Sequence, residues 1–116
     1  MNCGIRLQLN TMPAVLTRDM ARLQELWNEG LKRFGGPYLA GQAFTAVDAF
    51  YAPVVFRIQS YQLPVDDNVR AYVQHMLSLP SMQRWYEAAL KETWRDPDHE
   101  EETLRQGILQ QDLRVA

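Results

Sequence analysis

The segment TAVDAFYAPVVFRIQSY, residues 45–61, constrains the fold of this chain more than any other part of the sequence. Between Ala46 and Phe56 the only charged residue is Asp48, and apolar side chains cover every face of the predicted helix. A helix that is apolar on all faces is buried by its neighbours. The sequence therefore predicts a domain of packed helices around a central helix that starts at Thr45.

Thr45 and Asp48 predict how this central helix begins. In a capping box the threonine side chain accepts from the amide three residues later, and the acidic side chain accepts from the threonine amide. The benefit is large at a buried helix start, because the orphan amides there cannot reach water. A catalytic carboxylate is the alternative for Asp48, and the spacing favours capping. Pro53 lies inside the helix and is expected to kink it.

The helix before this segment carries an apolar stripe at helical spacing. Thr17 is a plausible N-cap, so the helix is expected to begin near that residue. Gly35-Gly36-Pro37 then ends it, because glycine is favoured just past a helix C-terminus and proline cannot continue the helix. Trp27 lies on the apolar stripe and is expected in the core.

Two further helices are predicted after the central one. Asp66 or Asp67 is expected to cap the third helix, and Pro80 suits the first position of the fourth. The fourth helix is expected to run to about Trp94, with Trp85 facing the core.

Residues 1–10 alternate apolar and polar side chains through Ile5, Leu7 and Leu9. This pattern could form a strand, but a five-residue strand without a partner would be marginal. The segment is therefore interpreted as the end of a helix or as a frayed terminus.

Residues 96–116 differ from the rest of the chain. The stretch turns acidic at residues 99–102, and the amphipathic pattern weakens. Leu104, Ile108 and Leu109 could still form a docking helix. We expect a helical domain over residues 1–95 and an acidic tail over residues 96–116.

The composition limits the number of domains and the classes of partner that are expected. The chain has 116 residues, 47% of them hydrophobic and 22% charged, which fits one ordinary globular domain. The net charge is −2 and no run of three basic residues occurs, so nucleic acid is not an expected partner.

The sequence also gives expectations about the cellular compartment and about metal binding. A single cysteine, Cys3, excludes an internal disulfide and fits a reducing compartment. His75 and His99 are too far apart to form a metal motif, so no metal is expected. No membrane span and no secretory signal is predicted, and a cytoplasmic location is expected.

The segments RFGGP at residues 33–37, YLAG at 38–41 and FTAVDAFYAPV at 44–54 resemble the glutathione S-transferase C-terminal domain. In that family a Ser/Thr-x-x-Asp box opens the buried central helix, and Thr45-Ala46-Val47-Asp48 matches it. The resemblance spans roughly residues 1–95. It implies an all-α bundle of about five helices around the helix that starts at Thr45.

The resemblance also implies which reaction the parent protein catalyses, and that this chain alone does not catalyse it. Enzymes of the family bind glutathione mainly through an N-terminal thioredoxin-like domain, in which a Ser, Tyr or Cys stabilises or replaces the thiolate. This sequence resembles only the helical C-terminal domain, so the chain alone is expected to bind no cofactor and to be inactive. Glutathione would be the co-substrate of a bacterial-type parent that conjugates it to small electrophiles. The expected partners are the thioredoxin-like domain of the same parent chain and a second copy of that parent.

The resemblance further suggests which residues line the electrophile site. That site lies between the first C-terminal helix and the central helix, so the expected wall residues are Met1, Asn2, Ile5 and Tyr51. Arg57 is a further candidate, because a charge late in a buried helix needs a ligand or an internal ion pair.

Two alternatives stay open. The same helical domain serves as a non-catalytic protein-interaction module in other proteins, and an unrelated helical bundle could share the capping box.

Overall fold

The computed structural model describes residues 2–115. In this part of the chain five helices and two short strands follow one another. The elements are β1 (Ile5–Leu9), α1 (Ala14–Phe34), α2 (Ala46–Ser60), α3 (Asp67–Ser78), α4 (Pro80–Lys91), α5 (Pro97–Arg105) and β2 (Gly107–Asp112). The predicted bundle of about five helices, with a helix starting at Thr45, is confirmed, and the two strands are an addition to it.

The core forms where α1, α2 and α3 meet. Trp27 of α1 is almost fully buried, as expected, and its ring lies 5.2 Å from the ring of Tyr51 and 4.9 Å from that of Tyr72. Both contacts are edge-to-face, the geometry that aromatic quadrupoles favour. Val55 and Phe56 of α2 are fully buried in the same cluster.

The helix α1 begins earlier than predicted. It starts at Ala14, directly after Pro13, and Thr17 already donates its amide to the Pro13 carbonyl at 3.0 Å. Proline disfavours helical geometry in the residue before it, so Pro13 sets the boundary and the N-cap assigned to Thr17 is wrong. The end of α1 is as predicted, because Gly35 adopts the left-handed conformation with φ 84° and caps the helix.

The starts of α3 and α4 follow the predicted signals. Asp66 accepts from the amide of Val69 at 2.9 Å, and Pro80 occupies the first turn of α4. The helix α4 ends at Lys91, short of the predicted Trp94. Trp85 lies against Phe56 with ring centroids 4.9 Å apart but remains 45% exposed, so it is a boundary residue rather than a core one.

The interpretation of residues 1–10 as a helix end or a frayed terminus is wrong, because Ile5–Leu9 forms β1. Its partner is β2, which pairs antiparallel with it from about a hundred residues further along the chain. One face of β1 is anchored by Ile5 and Leu7, both buried against the helices. A two-stranded sheet is marginal alone and is stabilised here by this packing.

The C-terminal segment forms α5 and then β2: of the three residues suggested for a docking helix, Leu104 lies in α5, whereas Ile108 and Leu109 lie in the strand. Asp96 caps α5 by accepting from the amide of His99 at 3.4 Å. The division of the chain at residue 95 stays a prediction, although β1 and β2 join its two parts. None of the described helices is long and apolar enough to cross a membrane.

Candidate functional site

The start of α2 is held by one fully buried carboxylate, that of Asp48. Its Oδ2 accepts from the amide of Thr45 at 3.0 Å, and the Asp48 amide is shared between the Thr45 hydroxyl and carbonyl. Its Oδ1 accepts from the amide of Leu39 at 3.2 Å and from the hydroxyl of Tyr72 at 2.8 Å. Burial, and then the hydrogen bond to Asp48, raise the pKa of the Tyr72 hydroxyl, which therefore remains a donor. The Asp48 carboxylate therefore links the start of α2 to the loop that contains Leu39 and to Tyr72 of α3. Both of its oxygens are occupied by these hydrogen bonds.

One face of α2 is uncovered. Phe50 is 83% exposed, and Val47 and the preceding Phe44 are also exposed. The expectation that neighbours bury this helix on every face is therefore wrong for that side. We call these three residues the open face.

A cleft of about 560 Å³ lies at the other end of α2. Arg57 borders it from α2, Asn2 from the segment before β1, and Trp94 and Arg95 from the connection between α4 and α5. Two residues proposed for the electrophile wall, Asn2 and Arg57, thus border one space. The burial expected of Arg57 is wrong, because the residue is exposed, and it makes no ion pair within residues 2–115.

The other wall candidates lie elsewhere. Ile5 is 2% exposed and packs in the interior under β1, where its side chain does not border the cleft. Tyr51 packs on Trp27 in the core cluster and is half-buried. Met1 lies outside the described residues. The wall as a whole stays a prediction, with Asn2 and Arg57 as the two members that share a space.

Ion pairs organise one side of the cleft. Arg114 donates to Glu100 at 2.7 Å and to Asp112 at 2.8 Å, and these bonds raise the pKa of its guanidinium. The bonds from Arg114 hold the pKa of Asp112 below its usual value, and the charge of Arg95 contributes less to this shift. His99 and Asp96 form a second pair at 2.7 Å. The side chains of Arg114 and His99 are therefore both paired with carboxylates of the protein itself. They form part of the cleft wall, and their charges are not free to pair with a ligand.

Cys3 also borders the cleft, but its side chain is buried. Burial raises the pKa of the thiol, so the neutral form is favoured at neutral pH. This agrees with an ordinary thiol rather than a nucleophile. Within the described residues no cluster of three or more His, Cys, Asp or Glu is placed to hold a metal ion.

Sequence reasoning missed Trp94, Arg95 and Arg114 as cleft residues. The pairing of β1 with β2 returns the chain end, with Arg114, to the chain start at Asn2, and Arg95 donates to the Val115 carbonyl at that end. No local motif marks them, and the acidic run beside them is typical of a solvated helix face.

Comparison with known proteins gives one match. Residues 13–88, or 76 of the 116 residues, match the family model described as glutathione S-transferase, C-terminal domain. Searches of curated proteins and of solved structures found no significant match. The matched range covers α1, α2, α3 and most of α4, the helices that build the core around Asp48. The chain therefore belongs to the glutathione S-transferase C-terminal domain family.

Proposed function

We propose that this chain is the electrophile-site and dimer-interface domain of a glutathione S-transferase whose parent conjugates glutathione to small electrophiles. Glutathione and the group that activates its thiol would be held by a thioredoxin-like domain of the same parent chain. The chain alone is inactive in this proposal, because the described residues offer no lowered-pKa thiol and no base beside a nucleophile.

The open face of α2 is the observation that carries the proposal. Phe50 stands 83% exposed on a helix whose opposite side is fully buried. Clustered exposed apolar side chains mark surfaces that another protein surface covers. Family membership supports a second domain or a second parent subunit as that cover.

Asn2 and Arg57 are proposed as the electrophile wall, because both border the cleft at the end of α2. In this proposal Tyr51 and Ile5 support the wall without lining it: Tyr51 packs on Trp27 in the core, and Ile5 is buried under β1. Met1 keeps its assignment as an untested prediction.

A conjugation assay with glutathione and a chromogenic aryl halide tests the first part of the proposal. The purified chain should give no turnover above the rate of the uncatalysed reaction. Turnover above background would refute the claim that catalysis needs a further domain.

The open face is tested with a fluorescent dye that binds apolar surface, and with light scattering to measure self-association. Phe50→Ser should reduce both dye binding and self-association. Val15→Ser is the matched control, because Val15 is an exposed apolar residue of α1 and is not one of the three residues of the open face. An equal effect of both substitutions would show that the open face has no special role.

A non-catalytic protein-interaction module is the second candidate, and the open face favours it as well. Capture of a larger protein at sub-micromolar affinity, lost in Phe50→Ser and independent of glutathione, would favour this candidate. A cytoplasmic location remains a prediction under either function.

A further inference from the structure

Residues 97–115, which contain α5 and β2, form an arm that is attached to the rest of the chain mainly through its strand. The main contacts of α5 are with β2, and those of β2 are with β1 and α5. None of the residues of the arm is buried. Burial of apolar surface is the main force that holds packed elements together, and the arm contributes little of it.

Backbone hydrogen bonds supply most of the attachment. Besides the pairing of β2 with β1, the Leu113 amide donates to the Gly4 carbonyl at 2.8 Å. The Val115 amide donates to the Leu90 carbonyl at 2.9 Å. Among the described residues, no ion pair joins the arm to the chain before residue 96. A segment held by exposed backbone hydrogen bonds, with few buried apolar contacts, opens at a lower free energy than the core does.

The arm is held together by contacts of its own. Arg114, which follows β2, donates to Glu100 of α5 at 2.7 Å and to Asp112 of β2 at 2.8 Å. These bonds do not depend on the rest of the chain, so α5 and β2 are expected to stay together when the strand pairing breaks. Residues 92–96 connect the arm to α4 and lie in neither a helix nor a strand. Such connecting residues can absorb the backbone rotation of a hinge.

The arm covers one side of the cleft at the end of α2. His99 and Thr103 border the cleft from α5, and Arg57 borders it from α2. The cleft thus lies between the two helices. The Arg114 side chain lies so close to Gly4 that a Cβ there would overlap it, so the arm also covers the backbone beside Cys3.

We propose that the arm opens as one unit about residues 92–96 and acts as a lid on this cleft. In the open state β1 loses its partner strand, and Asn2 and Cys3 become accessible. The opening itself does not depend on glutathione chemistry. What the lid admits rests on the proposed function, in which the same cleft is bordered by the electrophile wall.

The test uses Cys3 as a reporter, because it is the single cysteine of the chain and is buried. Its reaction with 5,5′-dithiobis(2-nitrobenzoate), measured on the full chain under native conditions, requires an opening that uncovers the thiol. Gly107→Ala weakens the strand pairing at the end of β2 that faces Leu9, because the added Cβ would overlap the backbone of Gln8. This variant should speed the reaction of Cys3 by about fivefold or more.

Tyr72→Phe is the matched control. It removes a hydrogen bond inside the bundle, the one from Tyr72 to Asp48, and leaves the arm unchanged. If the arm opens separately, the reaction rate of Cys3 in this variant should stay within about twofold of the original. Acceleration in both variants in proportion to their loss of global stability would show that only complete unfolding exposes the thiol, and would overturn the proposal. An unchanged rate in Gly107→Ala would overturn it as well.

Hydrogen exchange followed by mass spectrometry provides the second readout. Peptides from residues 97–115 should lose their protection together, and faster than peptides from residues 46–60 of the central helix. Equal protection of the two segments would contradict a separate opening of the arm. Neither measurement involves glutathione, so failure of the lid and failure of the conjugation proposal are distinguished.

Discussion

Replacing Asp48 with alanine tests the central claim about how this domain is held together. The substitution removes the acceptor of two buried donors, the Leu39 amide and the Tyr72 hydroxyl, and of the Thr45 amide at the helix start. Each buried donor left without a partner costs about 1–3 kcal/mol, and loss of the Asp48 half of the capping box costs no more than the ~0.5–2 kcal/mol of a full N-cap. The free energy of unfolding should therefore fall by about 4 kcal/mol, a large part of the 5–15 kcal/mol typical of a domain.

The assay is urea unfolding followed by helical circular dichroism and by tryptophan fluorescence. Tyr72→Phe is the matched partial variant, because it removes one of the hydrogen bonds and leaves Asp48 bonded to Leu39 and Thr45. It should cost about 1 kcal/mol. Asp67→Ala, an exposed residue in the first turn of α3, should change stability by less than about 0.5 kcal/mol. A loss below about 1 kcal/mol in Asp48→Ala, or one no larger than that of Tyr72→Phe, would refute the reasoning.

Three further predictions follow from other parts of the structure. Gly107→Ala should lower the free energy of unfolding, measured by thermal denaturation, by about 1–3 kcal/mol. The reason is that an added Cβ would overlap the backbone of Gln8 across the sheet. Gln106→Ala, the control at the neighbouring position, should be near neutral. The hydrogen bond from His99 to Asp96 raises the pKa of the imidazole above its ordinary value, so an NMR titration should place its midpoint high, with Asp96→Asn but not Asp98→Asn lowering it. Since folding raises the pKa of His99 and lowers that of Asp96, the pair stabilises the fold while Asp96 is ionised and His99 is protonated. The contribution disappears as pH rises through the folded-state pKa of His99, and a gain of stability on that rise would contradict the pairing. Phe50→Ser should change the free energy of unfolding by less than about 0.5 kcal/mol while reducing self-association, and a large loss of stability would mean that Phe50 is covered in the isolated chain.

Several elements could be predicted because their signals are local. The Thr45 and Asp48 spacing located the start of α2, Asp66 and Pro80 located the next two starts, and Gly35 located the end of α1. Each signal acts within a few residues through hydrogen bonding to nearby amides or through a restricted φ angle. The same locality explains the error at Thr17, where two local signals competed and Pro13 prevailed.

The candidate site was less predictable than the helices. Asn2 was identified through the family resemblance and Arg57 as a charge late in a helix expected to be buried, yet Arg95 and Trp94, which also border the cleft, gave no sign in the sequence. Arg57 lies late in a helix that was expected to be buried on every face, and this expectation failed on the side where Phe50 and Arg57 are exposed. Periodicity identifies which side chains prefer to be buried, and it does not say whether another element is present to bury them.

The sequence by itself determined the helical class, the helix that begins at Thr45 and the family, because these depend on spacing within short segments. Only the tertiary structure decided that residues 5–9 form a strand, since a strand needs a partner and β2 lies about a hundred residues away. That pairing also brings Arg95 and Arg114 to Arg57 and Asn2 and so creates the cleft. Contacts between residues far apart in the chain are selected by how the whole molecule packs, and no short pattern encodes them.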